Sequence, residues 1–142
     1  ESLQRDLREL MQADIDAYAR VMDAYKRPRG TPEEQAARTR SIQDALKHAS
    51  EVPLQVAQVC AAVLDLSRPV AEKGNKNAAS DAAVGALMAE SGLRGAAFNV
   101  SINLETIKDE AFVEAHRSQI ARLVARAERT KTEILHIAEG RM

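Results

Sequence analysis

From Leu3 to Tyr25, apolar side chains recur every third or fourth residue, through Leu7, Leu10, Met11, Ile15, Tyr18, Val21 and Met22. That period is one face of an α-helix, and it predicts a first helix over Ser2 to Lys26. Arg27-Pro28-Arg29-Gly30 ends it, because neither Pro nor Gly continues a helix comfortably. Thr31 then caps a second helix, with Pro32 at its first position and Glu34 completing a capping box. This helix reads to about Ser50. Pro53 lacks an amide proton and clashes with the carbonyl four residues back, so a kink or restart is expected there. The run from Val52 to Leu66 is apolar nearly all round, as in a buried helix, and Pro69 adds a second bend.

Gly74-Asn75-Lys76-Asn77 reads as a turn that uses left-handed backbone angles. Ser80 and Asp81 are expected to cap a helix from Ala82 to Ser91. Gly92 and Gly95 interrupt it before another from Ala96 to Ile107. Asp109 caps the last helix, whose stripe runs from Phe112 through Ile120, Leu123, Val124 and Ala127 to Ile134, Leu135 and Ala138. No strand, repeat or interdomain linker is evident. The expectation is one all-α domain over residues 1–142, a bundle of long, partly kinked antiparallel helices. Alanine is abundant and bulky side chains are scarce, so completion of the core by a second copy, as a homodimer or higher homo-oligomer, is expected.

Net charge of −1 and a pI near 6.4 argue against a nucleic-acid binder, which carries a basic field. Four aromatics and no Trp provide no base-stacking platform. The lone Cys60 has no disulfide partner, so an oxidising compartment is not indicated. No apolar run approaches the roughly 20 residues of a membrane span, and no signal peptide is visible. A cytoplasmic protein with no membrane partner is expected. The chain opens at Glu1 inside a helical pattern, so an upstream segment is expected to be missing.

Three sets of polar residues stand out. Asp14 continues the stripe Leu7, Met11, Tyr18 and Met22, where a carboxylate on a buried face is costly unless paired. It reads either as half of a structural salt bridge to an Arg or as a functional group. Asn99 and Asn103 are four apart and share one face of an apolar helix. Their carboxamides either tie helices together or grip a heterocycle of mixed donors and acceptors. Asn75, Asn77, Ser80 and Asp81 form a polar cluster that reads as a turn and a cap. Asp81 draws interest because a helix dipole would favour its ionised form.

Other candidates are weak. His48, His116 and His136 lack metal-ligand spacing, Cys60 sits in an apolar run, and no activated nucleophile or phosphate-binding Gly-rich loop is present. The basic residues from Arg117 to Lys131 mostly read as a solvated face.

The same polar positions carry a family resemblance. The blocks are Asp14-Ile15-Asp16-Ala17-Tyr18, with Val21-Met22 and Tyr25-Lys26-Arg27-Pro28; Val52-Pro53-Leu54; Gly74-Asn75-Lys76-Asn77-Ala78-Ala79-Ser80-Asp81; and Phe98-Asn99-Val100-Ser101-Ile102-Asn103-Leu104 followed by Asp109-Glu110-Ala111-Phe112. In this order and spacing the chain resembles the cyclodeaminase/cyclohydrolase family over essentially its whole length. That family includes the cyclodeaminase domain of formiminotransferase-cyclodeaminase and the related bacterial methenyltetrahydrofolate cyclohydrolases. The resemblance implies an all-helical, dimer-forming enzyme domain acting on folate-bound one-carbon units, with no metal or redox cofactor. One branch closes 5-formiminotetrahydrofolate to 5,10-methenyltetrahydrofolate with release of ammonia. The other interconverts the methenyl and 10-formyl forms with water. Members of the family carry about two further N-terminal helices with a Pro-Gly-Gly-Gly-type segment. That segment has no counterpart in these residues, so the chain by itself is expected to be short of full activity if the segment lines the pocket.

Both reactions move a proton at nitrogen and pass through a tetrahedral carbon, which a carboxylate acid/base and amide hydrogen-bond partners suit. The expected catalytic residues are Asp14 or Asp81. Tyr18, Asn75, Asn77, Ser80, Asn99 and Asn103 are expected to bind the folate substrate. The competing expectation is a non-catalytic helical scaffold. A helical metal protein needs repeated Glu-x-x-His pairs on facing helices, which the chain lacks.

Overall fold

The computed structural model describes residues 2–141. It contains four helices, α1 (Ser2–Lys26), α2 (Pro32–Lys73), α3 (Lys76–Leu104) and α4 (Glu110–Glu139), and no strand among the described residues. The expected start of α2 is present in full. Thr31 Oγ1 accepts from the Glu34 amide, and the Glu34 carboxylate accepts from the Thr31 amide at 3.2 Å. Asp109 caps α4 by accepting from the Phe112 amide, and Lys47 donates to its other oxygen at 2.7 Å. The lysine contact and the capping bond hold the Asp109 carboxyl below its usual range, so the cap stays ionised.

The interruptions expected from local rules do not occur. α2 runs unbroken for 42 residues through Pro53 and Pro69. A helix-interior Pro costs roughly 3 kcal/mol, but Val52, Pro53 and Leu54 are all buried, and that packing outweighs the local penalty. α3 likewise passes through Gly92 and Gly95, held by buried Ala89, Leu93, Ala96 and Val100 on its inner face. Gly92 is required by packing: a Cβ there would stand 3.2 Å from Cys60 Sγ of α2. The cap of α3 is Asn75, whose side chain accepts from the Ala78 amide at 2.9 Å, so Ser80 and Asp81 lie inside the helix. The α2–α3 turn also uses no left-handed backbone. Gly74 is needed there for space, since a Cβ would meet the Val70 carbonyl oxygen at 2.5 Å.

α2 is the central rod. It packs against α1, α3 and α4, and α4 also packs on α3. The α2–α3 seam is lined by small buried residues, including Ala57, Ala61, Ala86, Ala89 and Ala96, with Leu64, Leu93, Val100 and Ile134 filling the interior. Side chains on α4 read as solvated are partly stitched to its neighbours. Arg126 pairs with Asp65 at 2.8 Å, Arg68 with Glu133 at 2.9 Å, and Arg94 bridges buried Glu90 and Glu128. Past the end of α4, Arg141 donates to the carbonyls of Ala71 (3.0 Å), Glu72 and Gly74 (2.5 Å). It thereby satisfies the last turn of α2 and complements its dipole. Arg141→Ala is expected to cost about 1–2 kcal/mol, the scale of charged hydrogen bonds, seen as a melting temperature lowered by about 3–6 °C. An unchanged melting temperature would show that this clamp contributes nothing.

α1 packs on α2 alone and does not reach α3. A trough therefore runs between α1 and α3 with α2 as its floor.

Candidate functional site

The trough has a volume of about 900 Å³. Leu7, Met11 and Ile15 of α1 form one wall, Met88, Gly92 and Gly95 of α3 the other, and Pro53, Val56 and Cys60 of α2 the floor. Its lining is apolar apart from Asp14, Asn99 and the Cys60 thiol. Burial pushes that thiol up from its ordinary value, so it stays protonated and is no nucleophile. Next to the trough, and sharing Asp14 and Asn99 with it, lies a smaller cavity of about 250 Å³ that adds Tyr18, Asn103, Ala49 and Ile102.

The stripe on α1 therefore faces an open trough. Asp14 is exposed, as are Met11 (69%), Ile15 (60%) and Tyr18 (66%), so the expectation of a buried carboxylate does not hold. No Arg or Lys pairs with Asp14 among the described residues. Asp14 thus sits at the joint of two cavities with its oxygens free to meet a ligand. Asn99 is exposed across from it on α3, and Asn103 is half-buried one turn further on.

The second polar set is elsewhere. Asp81 and Asn99 are eighteen residues apart on one continuous helix, about 27 Å at 1.5 Å per residue. One chain cannot bring both to a small ligand. Asn75 is occupied as the cap of α3, and the Asn77 carbonyl accepts from Ser80 Oγ at 2.8 Å. Asp81 lies beyond the first turn of α3, where the dipole no longer acts strongly. Asp14, Tyr18, Asn99 and Asn103 are thus brought together, while Asn75, Asn77, Ser80 and Asp81 form the far end of α3. Pro53 and Cys60 at the floor were not foreseen as site residues. The proline itself was the available signal, since its missing amide must leave a carbonyl on α2 unpaired.

Among the described residues no three His, Cys, Asp or Glu side chains come close enough to hold a metal ion. No helix is long and apolar enough to cross a membrane.

An all-helical fold with one carboxylate and two carboxamides at the end of an apolar trough defines a helical binding or enzyme domain for a small, flat, partly polar ligand. The formiminotransferase-cyclodeaminase family profile matches residues 1–122, and the chain belongs to that family. It is 46% identical over 127 residues to a methenyltetrahydrofolate cyclohydrolase of Methylorubrum extorquens, covering 89% of this chain and 61% of that protein. It is 36% identical over 135 residues to the formimidoyltransferase-cyclodeaminase of Rattus norvegicus, covering 95% of this chain and 25% of that protein. The crystal structure of formiminotetrahydrofolate cyclodeaminase from Thermotoga maritima superposes with a TM-score of 0.85 at 31% identity, over 99% of this chain and 66% of that one. The chain thus spans about three fifths of the cyclohydrolase and a quarter of the bifunctional relative.

Proposed function

We propose that this chain carries the polar end of a reduced-folate site. There the protein converts 5,10-methenyltetrahydrofolate and its 10-formyl partner, or closes 5-formiminotetrahydrofolate with release of ammonia. The names of its relatives support the substrate class, and the higher identity to the cyclohydrolase makes the hydrolytic reaction the first to assay. The observation that carries the reading is the joint of the two cavities, where Asp14 and Asn99 interrupt an otherwise apolar lining. Flat pterin and benzoyl rings match apolar walls, and their edges need the few placed polar groups.

In the hydrolytic direction water adds to the methenyl carbon. A base accepts the water proton, and the tetrahedral carbon collapses with loss of its bond to N5. In the deaminating direction N10 attacks the formimino carbon and ammonia leaves with a proton supplied by an acid. Asp14 is the group placed for that transfer, and Asn99 and Asn103 orient the reacting edge. No resident cofactor enters this scheme. The test is disappearance of the methenyl chromophore on adding the natural full-length protein. A thermal shift with 5-formyltetrahydrofolate separates this reading from a scaffold, because a ligand that binds only the folded state raises the melting temperature. No shift and no chromophore loss would leave the scaffold.

A homodimer is part of the same proposal, in a cytoplasmic setting that suits the lone thiol. On the flank of α3 away from the trough, Val84 (56%), Leu87 (46%), Phe98 (70%) and Ile102 (62%) form an exposed apolar strip. Asp81 can serve this site only if a second copy brings it there. Phe98→Glu is expected to convert the dimer to monomer in sedimentation, with helical content unchanged. A variant that sediments like the wild type would place the interface elsewhere.

A further inference from the structure

In an uninterrupted helix the amide of residue 53 would donate to the Ala49 carbonyl. Pro53 has no amide proton, and its ring pushes against that carbonyl. The Ala49 oxygen is thereby released from the α2 ladder at a buried position. It is not left unpaired: Asn103 of α3 donates to it through Nδ2 at 2.8 Å.

This bond fixes which way the carboxamide faces. Only the nitrogen of a carboxamide can donate to a carbonyl, so Asn103 must turn Nδ2 toward α2 and Oδ1 away from it. Oδ1 accepts from no described residue, and Asn103 lines the cavity it shares with Asp14, Tyr18 and Asn99. We infer that Pro53 is a positioning residue for the site: by freeing the Ala49 carbonyl it holds Asn103 as a hydrogen-bond acceptor toward the ligand, which selects a ligand edge that carries an N–H or O–H donor. The inference rests on the folate reading for the identity of that ligand. The hold of Pro53 on Asn103 does not depend on it.

Pro53→Ala restores an amide that competes for the Ala49 oxygen and lets that carbonyl turn back along the helix. Asn103 is then free to rotate. The variant is expected to keep or raise the melting temperature, since a helix-interior Pro is replaced by the best helix former. It is also expected to bind 5-formyltetrahydrofolate about 5- to 10-fold more weakly, the size of one lost oriented hydrogen bond. Asn103→Ala is the partner variant. Within an Asn103→Ala background, Pro53→Ala is expected to change binding by less than about 2-fold, because its effect runs through Asn103. Equal weakening in both backgrounds, or no weakening in either, would overturn the inference.

A readout that needs no ligand accompanies these. The Asn103 side-chain NH₂ protons should exchange slowly with solvent in the wild type and at least about 10-fold faster in Pro53→Ala, as a lost hydrogen bond requires. Equal exchange in both proteins would show that Pro53 does not control Asn103. If the wild-type natural protein bound no reduced folate, the folate reading would fail, and the exchange measurement would still decide whether Pro53 holds Asn103.

Discussion

Asp14→Asn is expected to lower turnover of the natural full-length protein at least ~100-fold, the size usual for a general acid/base, while its melting temperature stays within about 1 °C of the wild type. The second half of that expectation follows from exposure. Asp14 makes no ion pair among the described residues and is exposed at the joint of the two cavities, so an isosteric amide removes the proton-transfer group without disturbing packing. The first half follows from position, since Asp14 is the one carboxylate that shares a cavity with Asn99 and Asn103. Steady-state rates with the methenyl substrate check it. Turnover within a few-fold of wild type would remove Asp14 from the chemistry.

Leu93→Ala should give the largest loss of stability, about 3–4 kcal/mol, in the range of buried Leu truncations. Leu93 is 0% exposed at the middle of α3 and belongs to the main core. The lining beside it is already Ala-rich, with few large side chains able to collapse into the void, so most of the cavity persists. Denaturant unfolding measures it as a lower midpoint with an unchanged slope. Leu87→Ala, 46% exposed six residues earlier on the outer flank, is the control and should cost under about 1 kcal/mol in the monomer. A Leu93 loss no larger than that control would mean that α3 does not bury the face described.

The all-α architecture and several helix ends were legible in the residues themselves. The three-and-four period of α1, the Thr31–Glu34 box and the Asp109 cap are local devices, and local devices act wherever they occur. Continuity through Pro53, Gly92 and Gly95 was not legible, because it depends on what α2 and α3 bury against each other. Chain-local rules see the penalty and not the contact that offsets it. Asp14 was recognised for a sound reason with a wrong surrounding. Periodicity shows that Leu7, Met11, Asp14 and Tyr18 share a face, but whether that face meets another helix or an open trough depends on where α3 lies. The pairing of Asn103 with the Ala49 carbonyl joins residues 54 apart, so spacing could show that Asn99 and Asn103 are neighbours but not that one of them is already engaged. The Asn75–Asp81 set looked alike in residue type and belongs to the other end of the same helix.

The central claim is that the joint between the trough and the smaller cavity receives a reduced folate. A crystal structure of the natural full-length protein with 5-formyltetrahydrofolate tests it most directly. The account predicts a pteridine edge within about 3.2 Å of Asp14 and of Asn103 Oδ1, the reach of a hydrogen bond, with ring faces against the apolar walls. A folate seated away from Asp14, Asn99 and Asn103, leaving those side chains in solvent, would contradict it.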